Sequence, residues 1–62
     1  GRDEMTITTA TALIASFFNQ GAIDQATAQR AQAAIRGNCY GQRMTNDDRR
    51  RMLANRFGIV EA

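Results

Sequence analysis

Apolar and polar side chains follow a helical period in three stretches of the chain, and the first stretch lies between residues 8 and 20. Ile7, Ala10, Ile14 and Phe17 succeed one another at intervals of three and four residues. This spacing places apolar side chains on one face of an α-helix. The threonines near its start can supply an N-cap. We therefore predict a first helix over residues 8–20.

The second stretch predicts a helix over residues 24–36 that is rich in alanine and glutamine, both of which favour helices. Asp24 is a good N-cap, and Ile23 before it can pack back onto the first turn. The inner face consists mainly of small side chains, which would let a neighbouring helix approach closely. Its members are Ile23, Thr27, Ala31, Ala34 and Ile35.

The third stretch predicts a helix over residues 46–57. Thr45 is placed as its N-cap, and Asp48 stands three residues later as a capping-box partner. Asp47 and Asp48 also lie where the positive end of the helix dipole would stabilise them. Ile59 and Val60 follow the helix, and we expect them to fold back onto the bundle.

Glycines separate the three predicted helices, and the chain contains no proline. Gly21, Gly37 and Gly58 each follow a helical stretch, where a left-handed residue commonly ends a helix. We therefore expect all three to adopt that conformation. The segment 37–44 carries no periodic pattern, and we predict an irregular loop there.

These patterns predict an all-α fold, a small three-helix bundle with helices roughly at residues 8–20, 24–36 and 46–57. Residues 5–62 are expected to form this single domain. Residues 1–4 precede Met5, and we expect them to be an expression remnant or a disordered tail. A chain of 62 residues buries only about 60% of the surface that it exposes when unfolded. A homodimer or another partner is therefore a reasonable expectation.

Composition limits the classes of function. All eight basic residues are arginines, and the net charge is +2, which is weak for a protein that acts on nucleic acid. No apolar run reaches the length of about 20 residues that spans a membrane, and no signal-peptide pattern occurs. The single Cys39 cannot form an internal disulfide, so we expect a cytoplasmic location.

Catalysis is not expected from this chain. Histidine is absent from the sequence, which removes the commonest acid–base group and metal ligand. Cys39 has no histidine to activate it. Asp47 and Asp48 are adjacent, and adjacent helical residues point in different directions. We predict no enzyme activity, no catalytic residues, no metal site and no cofactor.

The third helix carries the strongest candidate site. With 100° between successive residues, Arg49 and Arg56 fall within the apolar arc, Arg50 borders it, and Arg51 faces water. Arginine and methionine are enriched at protein interfaces. We therefore predict a protein-binding surface on this helix and on the loop before it. Its residues are Arg49, Arg50, Met52, Arg56 and Tyr40.

A second candidate surface lies on the outer face of the second helix. Glutamine and arginine side chains can read adenine and guanine edges in a major groove. The first two predicted helices also have the approximate spacing of a helix-turn-helix. The residues predicted to contact nucleic acid are Gln25, Gln29, Gln32 and Arg36.

Three hypotheses for function follow. The leading one is a small regulatory or inhibitory module that docks on a protein with an acidic or aromatic surface. The alternative is a DNA-binding transcriptional regulator that acts as a dimer through the second helix. The third is a structural subunit whose arginines make contacts between protomers.

Overall fold

Three helices and a short pair of strands form the protein, as described by a computed structural model. The structure describes residues 5–39 and 42–61, and of residues 38–39 and 42–43 it describes the backbone alone. The helices are α1 (Ile7–Asn19), α2 (Gln25–Arg36) and α3 (Asn46–Met52), and α3 continues as a π-helical turn, Leu53–Phe57. The strands are β1 (Asn38–Cys39) and β2 (Gln42–Arg43). The all-α three-helix bundle is thereby confirmed.

Local capping explains where α1 begins and ends. The hydroxyl of Thr6 accepts a hydrogen bond from the Thr9 backbone N–H at 3.1 Å, so Thr6 is the N-cap. At the other end, Gly21 has a positive φ of 78°. Its N–H donates to the Phe18 carbonyl, and the next N–H, of Ala22, donates to the Phe17 carbonyl. These two bonds satisfy carbonyls that the helix end leaves free.

The predicted cap of α2 is confirmed, and the predicted conformation of Gly37 is wrong. Oδ1 of Asp24 accepts a hydrogen bond from the Thr27 backbone N–H at 2.8 Å. Gly37 has φ −81° and ψ 177°, which is extended backbone that any residue adopts. The chain leaves α2 in this extended direction because β1 starts at the next residue.

Segment 37–44 is more regular than the sequence predicts. Asn38 pairs with Arg43 and Cys39 with Gln42 in an antiparallel ladder. Each strand has only two residues, which is too short for an alternation of polar and apolar side chains to be recognised in the sequence. Because the two strands pair, the end of α2 lies close in space to the start of α3.

The third helix begins with the predicted capping box. Thr45 Oγ1 accepts from the Asp48 N–H at 3.1 Å, and Asp48 Oδ2 accepts from the Thr45 N–H at 3.2 Å. The helix ends at Gly58, which has the expected left-handed conformation with φ 68°. There the Gly58 N–H donates to the Leu53 carbonyl, which closes the π-helical turn, and the Ile59 N–H donates to the same carbonyl at 3.0 Å.

The core lies where the three helices meet. α1 packs chiefly along α2, and the third helix contacts both. Two core side chains come from outside the helices, one before α1 and one after the π-helical turn. The buried apolar residues are Met5, Ala10, Ile14, Ala31, Ile35, Leu53 and Ile59. In the described part of the chain, no helix combines the length and the apolar character that crossing a membrane requires.

A basic and apolar groove as the candidate binding site

A surface groove runs between the second half of α2 and the third helix. It consists of two adjoining depressions of about 380 and 530 Å³ that share Ala34 and Arg56. We call the combined surface the arginine groove. Its lining residues are Arg30, Ala33, Ala34, Gly37, Met44, Asp48, Arg51, Met52, Arg56 and Phe57.

The apolar part of the arginine groove follows from the small side chains of α2. Ala33 and Ala34 carry only a methyl group, so they leave space beside the larger side chains of the third helix. Met52 and Phe57 are half-buried and pack against the core. Each therefore keeps part of its apolar surface available in the groove, which is the kind of surface that a partner can cover.

Three exposed arginines line the apolar part. Arg51 lines only the first depression, Arg30 only the second, and Arg56 lines both. Among residues 5–39 and 42–61, no carboxylate oxygen lies within 4.0 Å of the guanidinium of Arg30 or Arg56. Arg51 lies 3.9 Å from Asp47, and both side chains are more than two-thirds exposed. Such a pair is weak in water, so positive charge dominates the groove.

The one acidic residue in the groove already has a structural partner. Oδ2 of Asp48 accepts the hydrogen bond from the Thr45 N–H that completes the capping box. A carboxylate also interacts favourably with the N-terminal end of a helix. Asp48 therefore belongs to the start of α3 and offsets only part of the arginine charge.

The π-helical turn sets the positions of Arg56 and Phe57. Its wider winding moves both side chains away from the positions that a regular α-helix would give them. The guanidinium carbon of Arg56 lies 5.7 Å from the centroid of the Phe57 ring. This distance allows a cation–π interaction. The turn therefore holds a cation beside an aromatic ring at the boundary between the two depressions.

Arg49 lies in the interior and takes no part in the arginine groove. It is 7% exposed. Its Nε donates to the Met5 carbonyl at 2.7 Å, its Nη1 to the Met44 carbonyl at 3.3 Å, and its Nη2 to Oδ1 of Asn46. The helical wheel placed Arg49 in the apolar arc, but its partners are other parts of the same chain. We therefore leave it out of the proposed surface.

Arg50 is also separated from Met52 and Arg56. It lines a different cavity of about 320 Å³ together with Ala54, Val60 and Glu61. Nε of Arg50 lies 3.3 Å from Oε1 of Glu61. The angles are not those of a hydrogen bond, and among the described residues the buried Nε and Nη2 have no acceptor. Arg50 thus forms an ion pair with the segment that follows Gly58.

The remaining residues of the predicted protein-binding surface are Met52, Arg56 and Tyr40. The structure brings Met52 and Arg56 together in one groove, whereas Tyr40 lies outside the described residues. The prediction missed Arg30, and it treated Arg51 only as a solvent-facing residue. The signal for Arg30 was its position four residues before Ala34, on the flank of the inner face of α2.

The alternative surface on α2 does not line the arginine groove, and its Arg36 lines a separate cavity of about 620 Å³ together with Thr6, Ile35 and Asn46. Gln25 and Gln29 are exposed, and Gln32 is half-buried. Nη1 of Arg36 donates to both the carbonyl and the side-chain oxygen of Gln32, each at 3.1 Å. Gln32 and Arg36 therefore bind each other, and contact with a base would require that pair to rearrange.

Comparison with known proteins adds no functional assignment. No protein-family model, curated protein or solved structure matches the chain. Within the described residues, no cluster of three or more cysteine, aspartate or glutamate side chains could hold a metal ion. Function is therefore argued from the groove itself.

Proposed function

We propose that the protein is a non-enzymatic module that regulates or inhibits another protein by docking on it through the arginine groove. The groove combines methionine, aromatic and arginine side chains, which are enriched at protein interfaces. Methionine adapts its shape to a partner. Arginine binds carboxylates in a bidentate manner and stacks on aromatic rings. A bound module excludes other ligands from the surface that it covers, and this regulates a partner without any chemistry.

The position of Arg56 is the observation that carries this proposal. The residue belongs to both depressions, is exposed, and lies over the ring of Phe57. No described carboxylate neutralises it. Arginines in such central positions are frequent among the residues that dominate binding energy. Met52, on the preceding turn, supplies the neighbouring apolar contact.

A pull-down with matched variants tests the proposal. The bait is the full chain, incubated with a lysate of the source organism with and without nuclease. We expect one or more proteins to be retained in both conditions and to be lost with Met52→Ala or Arg56→Ala. Gln29→Ala is the control, because Gln29 is an exposed residue of α2 outside the groove. The retained protein is then purified, and its affinity for each variant is measured by calorimetry.

Two results would reject docking through the groove. The first is a complex that disappears after nuclease treatment and depends on Gln29, which would favour the DNA-binding alternative. The second is a purified partner whose affinity is unchanged by Met52→Ala and Arg56→Ala. Circular dichroism of each variant verifies that a loss of binding is not a loss of fold.

A further inference from the structure

We infer that the occupant of the arginine groove is an acidic amphipathic helix with about two turns in contact. This inference rests on the proposed function, and it adds the chemical class and the shape of the partner. It follows from three features of the described residues: the order of the charges along the groove, the helical character of most of its walls, and its length.

The charges are spread along the groove. Arg51 lies in the depression nearer Gly37, Arg30 in the depression that contains Phe57, and Arg56 between them. A single carboxylate or phosphate could pair with only part of this series. A partner that neutralises all three needs several acidic groups distributed along its length. Carboxylates match guanidinium groups geometrically and form strong charge-assisted hydrogen bonds with them.

The walls of the groove favour a helix as the partner. They consist mainly of α2 and the third helix, in which most backbone N–H and C=O groups bond within the helix and only the terminal ones do not. An extended peptide that adds to a sheet needs unpaired backbone groups on its host. A helix satisfies its own backbone, and it can lay an apolar face into a groove while its flanks meet charges.

The length of the groove is also that of a short helix. Arg30 and Gly37 mark its extent along α2 and are seven residues apart. Seven residues span about 10 Å, or two helical turns. Apolar side chains of the partner would cover Met52 and Phe57, and acidic side chains on both flanks would reach the arginines.

Nucleic acid fits the same surface less well. The floor contains Met44, Met52 and Phe57, and the lining includes the carboxylate of Asp48. Methionine and phenylalanine side chains offer a phosphate backbone no partner, whereas Asp48 repels a carboxylate as it repels a phosphate and so does not distinguish the two. Apolar side chains with flanking acidic groups complement every part of this lining except Asp48, which the capping box already holds.

A titration with three designed peptides tests the inference. The peptides share one length and one leucine face, and the flanking positions carry glutamate, glutamine or lysine. Binding is followed by two-dimensional NMR of the labelled full chain, with a single-stranded oligonucleotide as a fourth ligand. We expect the glutamate peptide to shift the amides of Ala34, Met52, Arg56 and Phe57. We expect it to bind about tenfold more tightly than the glutamine peptide.

Variants and salt show whether the arginines cause this preference. Arg56→Ala should lower the affinity for the glutamate peptide by about tenfold and the affinity for the glutamine peptide by much less. Arg36→Ala removes the same charge outside the groove, so its effect should stay within about twofold. Raising the ionic strength from about 0.05 to 0.3 M should reduce the difference in affinity between the glutamate and glutamine peptides, because salt screens exposed charges.

Each contrary outcome has a distinct meaning. If the glutamine or lysine peptide binds the groove as tightly as the glutamate peptide, the acidic partner is rejected while docking through the groove stands. If no peptide shifts the groove amides, the inference is rejected, and the Met52→Ala pull-down decides the proposed function independently. If the oligonucleotide binds more tightly than the glutamate peptide and depends on Arg56, both the inference and the proposed function are rejected.

Discussion

Arg49 donates a hydrogen bond from Nε to the backbone carbonyl of Met5 across 2.7 Å, although 44 positions of sequence separate the two residues. The same guanidinium reaches the carbonyl of Met44 and the side chain of Asn46. It therefore joins the segment before α1 to the start of α3. Arginine suits this role because its planar fork presents several donors in fixed directions.

Replacing Arg49 should destabilise the fold strongly. Arg49→Ala removes three hydrogen bonds and leaves a buried carbonyl at Met5 without a partner. We expect the free energy of unfolding to fall by about 2–4 kcal/mol. Arg49→Lys keeps the charge but not the planar set of donors, so the free energy of unfolding should fall less, by about 1–3 kcal/mol. Urea denaturation followed by circular dichroism measures both.

Arg51→Ala is the matched control for this prediction. Arg51 lies two residues away, and its side chain is 74% exposed. Its removal should change the free energy of unfolding by no more than about 0.5 kcal/mol. Equal effects of Arg49→Ala and Arg51→Ala would show that the interior bonds of Arg49 do not stabilise the fold.

The helices and their caps could be predicted because the interactions that start them are local. Asp24 bonds the N–H of Thr27, and Thr45 bonds that of Asp48, in each case three residues away. A spacing of three is visible in the sequence itself. The predicted helix bounds accordingly differ from the observed ones by about one residue, apart from the change of winding at Leu53.

The interior role of Arg49 could not be predicted, because it depends on a segment without periodicity. A helical wheel gives the direction of a side chain but does not show which other segment of the chain that side chain will contact. Met5 precedes the first helix, and nothing in the pattern indicates that it is buried. The hydrogen bond between the two residues exists only in the folded chain.

The position of the Arg56 guanidinium over the Phe57 ring could not be predicted for a different reason. The wheel assumes 100° between residues, and that assumption fails in the π-helical turn from Leu53 to Phe57. No residue in this turn is a helix breaker. The wider winding shows itself in the hydrogen bond from the Gly58 N–H to the Leu53 carbonyl, five residues back, and the N–H of the buried Ile59 donates to the same carbonyl.

Alanine should have opposite effects at two glycines that both follow helices. Gly58 has a positive φ of 68°, where a side chain is strained even though the space is open. Gly58→Ala should therefore cost about 1–2 kcal/mol. Gly37 is extended, and a Cβ there would meet the Ala34 carbonyl oxygen at an ordinary 3.5 Å. Gly37→Ala should stabilise by about 0.4–1 kcal/mol, because it restricts the unfolded chain.

Thermal unfolding of the two variants checks this pair. One kcal/mol corresponds to a shift of about 4–8 °C in Tm for a domain of this size. Gly21→Ala is the control, since Gly21 also has a positive φ and open space around it. Its Tm should fall with that of Gly58→Ala. A fall of the same size for Gly37→Ala would contradict the extended conformation at that residue.

Asp24 should make stability depend on pH in the acid range. Hydrogen bonds from Thr27, from its side chain and then its backbone N–H, hold the pKa of Asp24 below its ordinary value of 3.8. The folded state therefore favours the carboxylate more than the unfolded state does. This contribution is fully present above the unfolded pKa and is lost as the pH falls through the folded pKa.

Asp24→Asn separates the charge from the cap. Asparagine caps a helix as well as aspartate does but does not titrate. Unfolding midpoints measured from neutral pH down to acid should decline less steeply below about pH 4 in this variant than in the wild type. Carboxyl NMR should place the pKa of Asp24 under 3.8. Parallel acid profiles for the two proteins would contradict the assignment.

Removing Asp47 should strengthen binding while slightly weakening the fold. Oδ2 of Asp47 lies 3.9 Å from Nη2 of Arg51 at the edge of the arginine groove. Asp47→Asn loses a weak exposed pair and a favourable contact with the helix dipole, so unfolding should become easier by about 1 kcal/mol or less. The freed Arg51 should bind the glutamate peptide about twofold to threefold more tightly.

Glu61→Gln is the matched control, because it removes the same charge beside Arg50, outside the groove. A gain in affinity confined to Asp47→Asn therefore locates the effect in the groove. Equal gains for both variants would mean that net charge alone attracts the peptide, and Arg51 would then have no specific role.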